Sequence, residues 1–211
     1  MTTPSLQVLK QACEQLSACD AALALAHTEI GVPVWRATQP TYQTLARAVA
    51  YQLISTRAAA AIWGRTLALF EGEISAQALL STSDEKLREC GNSRPKIGHM
   101  RSIATAITTG TLCFERLQAS EPAAARKELL AVKGIGPWTA DLFLMNALGV
   151  VDAFPVGDVG VMEAYRALSG AEIRHETKAF TGLAEQWRPY RGVAAHLLWG
   201  WLNAQRDKAQ T

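Results

Sequence analysis

Apolar residues in this chain recur mainly at intervals of three and four, the repeat that lines one face of an α-helix. Ile97, Met100, Ile103, Ala104 and Ile107 follow that spacing after Ser93 and predict a helix there. Leu45, Val49, Gln52 and Leu53 do the same after Thr41, a residue able to cap a helix running to about Ile54. Thr3-Pro4 reads as an N-cap followed by proline at the first helical position, opening a helix to about Leu16. Asp20 opens a second, short helix, and Pro33 and Pro40 mark Gly31–Pro40 as a loop. Ser55 caps a helix through Phe70, and Ser75 and Ser83 start two short ones, the latter ending at Gly91. A connector follows Gly110. Helices are then predicted over about Pro122–Val132, Pro137–Leu148, from near Asp158, Glu176–Trp187 and Pro189–Gln205. Val32–Trp35 and Val150–Phe154 are strand-like in composition but too short and isolated to build a sheet. The pattern is therefore all-α, with fraying expected at the two ends.

One turn in this pattern is unusual. In "VKGIGPWTADLF", Val132 to Phe143, two glycines bracket Ile135, the only large apolar side chain of the turn and able to plug the core. Gly134 and Gly136 allow backbone angles closed to other residues, and Pro137 presets the next helix. Backbone N–H groups of such a turn and helix start point outward with no side chain in the way, a ready site for phosphate, with Lys133 adding charge beside it. An ordinary helix–helix turn has the same ingredients.

Further on, "VDAFPVGDVGV" places Asp158 at a helix start. A carboxylate there is commonly a plain N-cap. The helix between turn and aspartate covers about 12 residues, or about 18 Å, so the loop after it can bring the chain back toward the turn. Asp152 is the competing carboxylate of the loop.

Together these two segments resemble the helix–hairpin–helix (HhH-GPD) DNA glycosylase superfamily. The hairpin matches in "ELLAVKGIGPWTADLFLM", and "D-x-F-P-x-x-D-x-G" matches the segment that carries the family's catalytic aspartate. The resemblance covers roughly residues 15 to 205. It implies a two-lobed helical fold with the lesion pocket between the lobes. One lobe would hold about 41–150, with the hairpin at 129–141, and the other about 1–40 and 151–211. It implies that the amides of Gly134, Gly136 and Thr139 hold a DNA phosphate without reading sequence. The carbonyls of Leu130, Val132 and Ile135 match a monovalent cation site, for sodium or potassium, and no cofactor is required. Asp158 would stabilise the positive charge that builds on the deoxyribose as the base departs, and orient or deprotonate the incoming water.

Trp138 sharpens the resemblance. Members that also cut the strand carry a Schiff-base lysine at this position, and indole cannot form a Schiff base. Tryptophan here is similar to the AlkA-like, 3-methyladenine DNA glycosylase II branch, whose aromatic pocket attracts cationic alkylated purines by stacking and cation–π contact. That implies a monofunctional enzyme releasing N3- and N7-methylpurines from duplex DNA. The segment "AYQLISTRAA" resembles the family's wedge segment, with Leu53 entering the minor groove and Gln52 placed to hydrogen-bond near the orphan base. Leu53 also fits an ordinary core position. "WRPYRGVAAHLLW" resembles the segment whose second aromatic lines the pocket, here Tyr190, with Trp187 in the core. "GNSRPKIGHMRSIATAI" also resembles the family, with Arg94 and Lys96 read as a solvated cationic helix start. Departures are Leu142, where well-known members put tyrosine, and Asn92, in place of an apolar residue. The length leaves no room for the N-terminal β domain of fuller relatives. Three other readings stay open: a related glycosylase for oxidised or deaminated bases, a non-catalytic DNA-binding module, and an α-bundle protein–protein scaffold without DNA affinity.

Composition narrows the picture without changing it. With 49% hydrophobic and 19% charged residues among 211, disorder does not dominate. A net charge of +2 permits an anionic partner without demanding one. Cys13, Cys19, Cys90 and Cys113 lack zinc-site spacing. No cysteine follows Cys113, which excludes the C-terminal four-cysteine iron–sulfur loop of some relatives. No run nears the ~20 apolar residues of a membrane span, and no secretory signal is evident. The expectation is a monomer acting on damaged double-stranded DNA, in a bacterial cytoplasm or a nucleus.

Overall fold

Short polar side chains open most of the helices, each satisfying an amide that the first turn leaves without a partner. The computed structural model describes residues 3–209. Within them the chain forms thirteen α-helices and one 3₁₀ turn, with no strand. It divides into two compact units, one of residues 39–143 and one of the described parts of 1–38 and 144–211.

The first of these units runs from α3 (Tyr42–Tyr51) and α4 (Thr56–Leu69) through α5 (Ala76–Ser81), α6 (Asp84–Glu89) and α7 (Arg94–Thr108). It continues with α8 (Phe114–Ala119), α9 (Pro122–Leu130) and the start of α10 (Pro137–Leu148). Thr41, Ser55, Ser75 and Ser83 cap their helices as their positions predict. Ser93 stands at its N-cap position without a side-chain bond. The apolar face of α7, with Ile97, Met100, Ile103 and Ala104 all buried, packs against α3 and α5. Tyr42 donates to the Met100 carbonyl at 3.2 Å, tying α3 to that face. The connector after Gly110 contains a helix, α8, whose six residues are too few for periodicity to reveal. Its Leu117 is buried, and Phe114 lies 5.8 Å from Phe143, ring to ring. Asn92 is also buried, its amide donating to Thr66 Oγ1 and the Leu87 carbonyl, so a polar residue is accommodated where an apolar one was expected.

The second unit holds α1 (Leu6–Cys19), α2 (Ala21–Ile30), α11 (Val159–Ser169), α12 (Thr177–Leu183) and α13 (Arg191–Lys208). The first helix is capped by Ser5, not Thr3: the Ser5 hydroxyl accepts from the Val8 amide, which leaves Pro4 ahead of the helix. The predicted helix 176–187 breaks into α12 and a 3₁₀ turn over Ala184–Trp187. Asp20, buried, caps α2 through the Ala22 and Leu23 amides. It also accepts from Trp187 Nε1 at 2.9 Å and Tyr165 Oη at 3.2 Å, so one carboxylate joins α2, α11 and the 3₁₀ turn. Tyr165 and Trp187 join Phe154 and Phe180 in an aromatic core of edge-on and tilted ring contacts. Trp187 is buried, as its segment predicts. At Gly192 a side chain would meet the carbonyls of Val151 and Ala153 at under 3 Å, so α13 begins pressed on the loop that leads to Asp158.

Candidate functional site

The hairpin between α9 and α10 is built largely by its own sequence. Gly134 adopts φ +98°, and a Cβ there would lie 2.5 Å from His99 Cβ and 2.9 Å from His99 Cα on α7. Ile135 is buried as a plug, and its amide donates to the Val132 carbonyl at 3.0 Å. Of the two glycines only Gly134 uses the left-handed angles open to it: Gly136 does not adopt them, and a Cβ there meets nothing within 4 Å. Ala140 N donates to the Gly136 carbonyl, so the amides of Gly136, Trp138 and Thr139 precede the first helical hydrogen bond of α10. Lys133 is exposed beside them, and Trp138 and Leu142 are half-buried, one turn apart on α10. Arg126 on α9 clasps the buried Asp141 on α10, Nε to Oδ1 at 2.6 Å and Nη2 to Oδ2 at 3.0 Å. This pair fixes the two helices that flank the turn.

The α3–α4 turn lies against the same hairpin. α3 ends at Tyr51, short of the predicted Ile54: Gln52 turns extended at ψ 133°, and Leu53 follows at φ +60°. Leu53 is 103% exposed, which removes the core alternative for this side chain. Gln52 Nε2 donates to Thr139 Oγ1 at 2.9 Å and to the Gly134 carbonyl at 3.3 Å. Lys96 Nζ donates to the Ala50 carbonyl at 2.7 Å, taking up an end of α3. That replaces the solvated role read for Lys96, and partial burial pushes its ammonium pKa down. Arg94 is exposed.

In the other unit Asp158 caps α11. Its Oδ1 accepts from the Val161 amide at 2.9 Å and from Trp199 Nε1 at 3.0 Å. Residue 160 is glycine beside them: a Cβ there would crowd Asp158 Oδ1 at 3.2 Å and touch the Trp199 ring at 3.5 Å. Trp199 is in turn held by the edge of His196, 5.5 Å between centroids, and by the Arg36 guanidinium 5.0 Å above its ring. Asp152 serves differently: it accepts from Arg188 at 2.7 Å and from Arg191 at 2.9 and 3.0 Å. Those pairs brace the turn that leads to Tyr190, which stands half-buried at the N-cap of α13.

His196 is a buried part of this support. Its ring stacks on Trp35 at 4.1 Å, contacts the Gly192 carbonyl through Nδ1 at 2.8 Å, and accepts the Arg36 amide through Nε2. That arrangement fits one neutral tautomer, with the proton on Nδ1. Burial accordingly lowers its pKa from 6.5 to about 4. Because the folded form resists protonation, the unfolded chain takes up the proton first, and stability falls as pH drops through this window. Between pH 7 and 5 the stability advantage of the native protein over His196→Gln should shrink by about 2 kcal/mol. Urea unfolding at the two pH values measures this, and a constant difference refutes it.

Trp199, the Arg126–Asp141 clasp and the Gln52 bonds carry no local sequence signal, since each depends on a partner distant along the chain. The donor set at Leu130, Val132 and Ile135 is chemically suited to a monovalent cation, being three neutral carbonyl oxygens. The Val132 oxygen already accepts the Ile135 amide and retains its second lone pair.

Residues 46–189 match the family model described as HhH-GPD superfamily base excision DNA repair protein. This chain belongs to that superfamily. The match takes in the Gln52 turn, the hairpin and Asp158, and it stops one residue before Tyr190. A Mycobacterium tuberculosis protein, a probable bifunctional transcriptional activator and DNA repair enzyme AlkA, is 32% identical over 160 residues. That stretch is 72% of this chain and 32% of the relative, so the chain spans about a third of it. DNA-3-methyladenine glycosylase 1 of Schizosaccharomyces pombe is 33% identical over 75% of this chain and 71% of its own. The solved structure of the S. pombe 3-methyladenine DNA glycosylase with abasic DNA superposes with a TM-score of 0.81 at 27% identity. It covers 90% of this HhH-GPD chain and 95% of its own. Among the described residues no helix is long and apolar enough to cross a membrane.

Proposed function

We propose that this protein is a monofunctional DNA glycosylase that hydrolyses the N-glycosidic bond of alkylated purines in duplex DNA. The observation that carries the reading is a carboxylate held in one orientation by two donors, in the chain that also carries the glycine hairpin. The names of its relatives, 3-methyladenine glycosylases, support the substrate class.

In this reading the amides of Gly134, Gly136 and Thr139 seat a DNA phosphate, with Lys133 adding charge and Leu53 filling the gap left by a flipped nucleotide. A sodium or potassium ion on the carbonyls of Leu130, Val132 and Ile135 would add positive charge beside that phosphate. Trp138 and Tyr190 stack the cationic base, and Leu142 contributes an aliphatic wall. The glycosidic bond breaks with its electron pair leaving on the purine, whose positive charge is thereby cancelled. Asp158 faces the oxocarbenium-like sugar electrostatically, water adds to C1′, and the proton it sheds passes to the carboxylate or to solvent. The products are free base and an abasic site. Trp138 in the lysine position is the ground for excluding covalent lyase chemistry there.

Incubation with methylated duplex DNA tests the reading. Release of N3- and N7-methylpurines without strand scission is expected, with scission appearing only after alkali. Scission without alkali overturns the monofunctional assignment. Preferential release of neutral oxidised or deaminated bases overturns the substrate class, and DNA binding without any base release marks a non-catalytic module.

A further inference from the structure

Leu53 is held in place by nothing of its own. Its side chain is 103% exposed, and its backbone sits at φ +60°, a conformation unfavourable for a non-glycine residue. Such a conformation persists only where neighbouring groups over-determine it. Three neighbours do so. Ser55 caps α4 through the Ala58 amide at 3.3 Å, fixing the far side of the turn. Lys96 takes the Ala50 carbonyl, fixing the end of α3. Gln52, between them, reaches across to the hairpin and donates to the Gly134 carbonyl and to Thr139 Oγ1.

Both acceptors belong to the residues whose amides would seat the phosphate. The Thr139 side chain is 1% exposed, so its hydroxyl has no ready substitute for the Gln52 amide. Gly134 has no room on the side of α7, where an added Cβ would lie 2.5 Å from His99 Cβ, and its φ of +98° fixes its backbone in a region that glycine alone adopts readily. The side chain next to Leu53 is thus bonded to two hairpin residues, one at positive φ and one buried. A rigid hairpin and a two-point bond leave the exposed tip few positions relative to it.

We propose that Gln52 is a positioning residue that latches the Leu53 turn to the phosphate-binding hairpin, so that phosphate seating also sets where the wedge enters the duplex. This rests on the reading of Leu53 as the wedge and of the hairpin as the phosphate site. It assigns the Gln52 amide nitrogen to the protein rather than to the orphan base.

The experiment is a double-mutant cycle on base flipping and release. Flipping is followed by the fluorescence of 2-aminopurine placed beside the lesion in duplex DNA, and release by single-turnover rate. Gln52→Ala is expected to slow flipping and release about tenfold, as a misplaced group does. Affinity for undamaged duplex should stay within about twofold, since Gln52 itself does not hold the phosphate. Because Gln52 acts through Leu53, Gln52→Ala with Leu53→Ala should lose no more than Leu53→Ala alone. Thr139→Val, which removes the acceptor hydroxyl at nearly constant volume, should reproduce part of the Gln52→Ala loss and be less than additive with it. Fully additive losses with Leu53→Ala overturn the latch. So does a Gln52→Ala effect that changes with the base opposite the lesion, which marks direct contact with that base. A normal Gln52→Ala beside a defective Leu53→Ala overturns the latch alone, and a normal Leu53→Ala overturns the wedge and the latch together.

Discussion

Replacing Asp158 with asparagine is expected to cut base release at least about 10²-fold while leaving fold and DNA binding in place. The geometry makes this substitution unusually clean. Asn retains an Oδ1 acceptor, so the Val161 amide and Trp199 Nε1 keep their partner, and asparagine caps helices about as well as aspartate. What disappears is the negative charge. A preorganised group facing charge that develops only in the transition state contributes roughly 3 kcal/mol, so the single-turnover rate should fall at least about 10²-fold. Because the positive charge of an alkylated purine already makes it a good leaving group, some residual release is expected from the rest of the pocket. Trp199→Phe supplies the companion measurement: it keeps an aromatic ring near His196 and removes one of the two donors to Asp158, along with part of the indole, so it is read in a protein that melts normally. Its rate should fall between the native protein and Asp158→Asn, with affinity for undamaged DNA unchanged. Near-native release by Asp158→Asn, in a protein that melts normally, would remove Asp158 from the chemistry.

What the sequence discloses about this molecule, and what it hides, divides by the range of the interactions concerned. Helix starts at Asp20, Thr41, Ser55, Ser75 and Ser83 are legible because each cap is an interaction over two or three residues. The hairpin and the helix start at Asp158 are legible for the same reason: turn chemistry and capping are local. The end of α3 is not, since it is decided by Lys96 and by the reach of Gln52 to Thr139, partners far along the chain. Helix α8 escapes periodicity through its brevity, while the break between α12 and the 3₁₀ turn comes just after Gly182, a weak helix former that apolar periodicity runs straight through. The candidate site shows the same split. Asp158 is visible as a residue type in a motif, but its orientation depends on Trp199, 41 residues further along the chain. Lys96 reads as surface charge in the sequence and becomes a carbonyl clamp only once α7 is packed on α3. Local rules therefore name the reactive groups, while the bonds that aim them are set by tertiary packing.

The two hairpin glycines should fail in opposite ways when changed to alanine. Gly134→Ala places a methyl at φ +98° and 2.5 Å from His99 Cβ, with the His99 Cα at 2.9 Å, so α7 itself must move. Combining a disallowed backbone conformation with overpacking, the cost should be about 3 kcal/mol and the melting temperature should drop by about 10 °C. Gly136→Ala meets open space and an ordinary backbone conformation, so its stability should change by less than about 0.5 kcal/mol. If the free protein has room for a side chain at residue 136, glycine is needed there for something that arrives later. In the proposed complex that is a phosphate oxygen approaching the amide, and an added methyl stands in its path. Gly136→Ala should therefore weaken binding to undamaged and lesion-bearing duplex alike, by about tenfold, because a phosphate contact carries no sequence information. Thermal melts and binding titrations at one fixed salt concentration separate the two outcomes. A Gly136→Ala protein that melts normally and binds DNA normally would mean that the amides of this turn do not seat a phosphate. A protein that melts normally and binds poorly would locate the phosphate at that turn without any change in its charged residues.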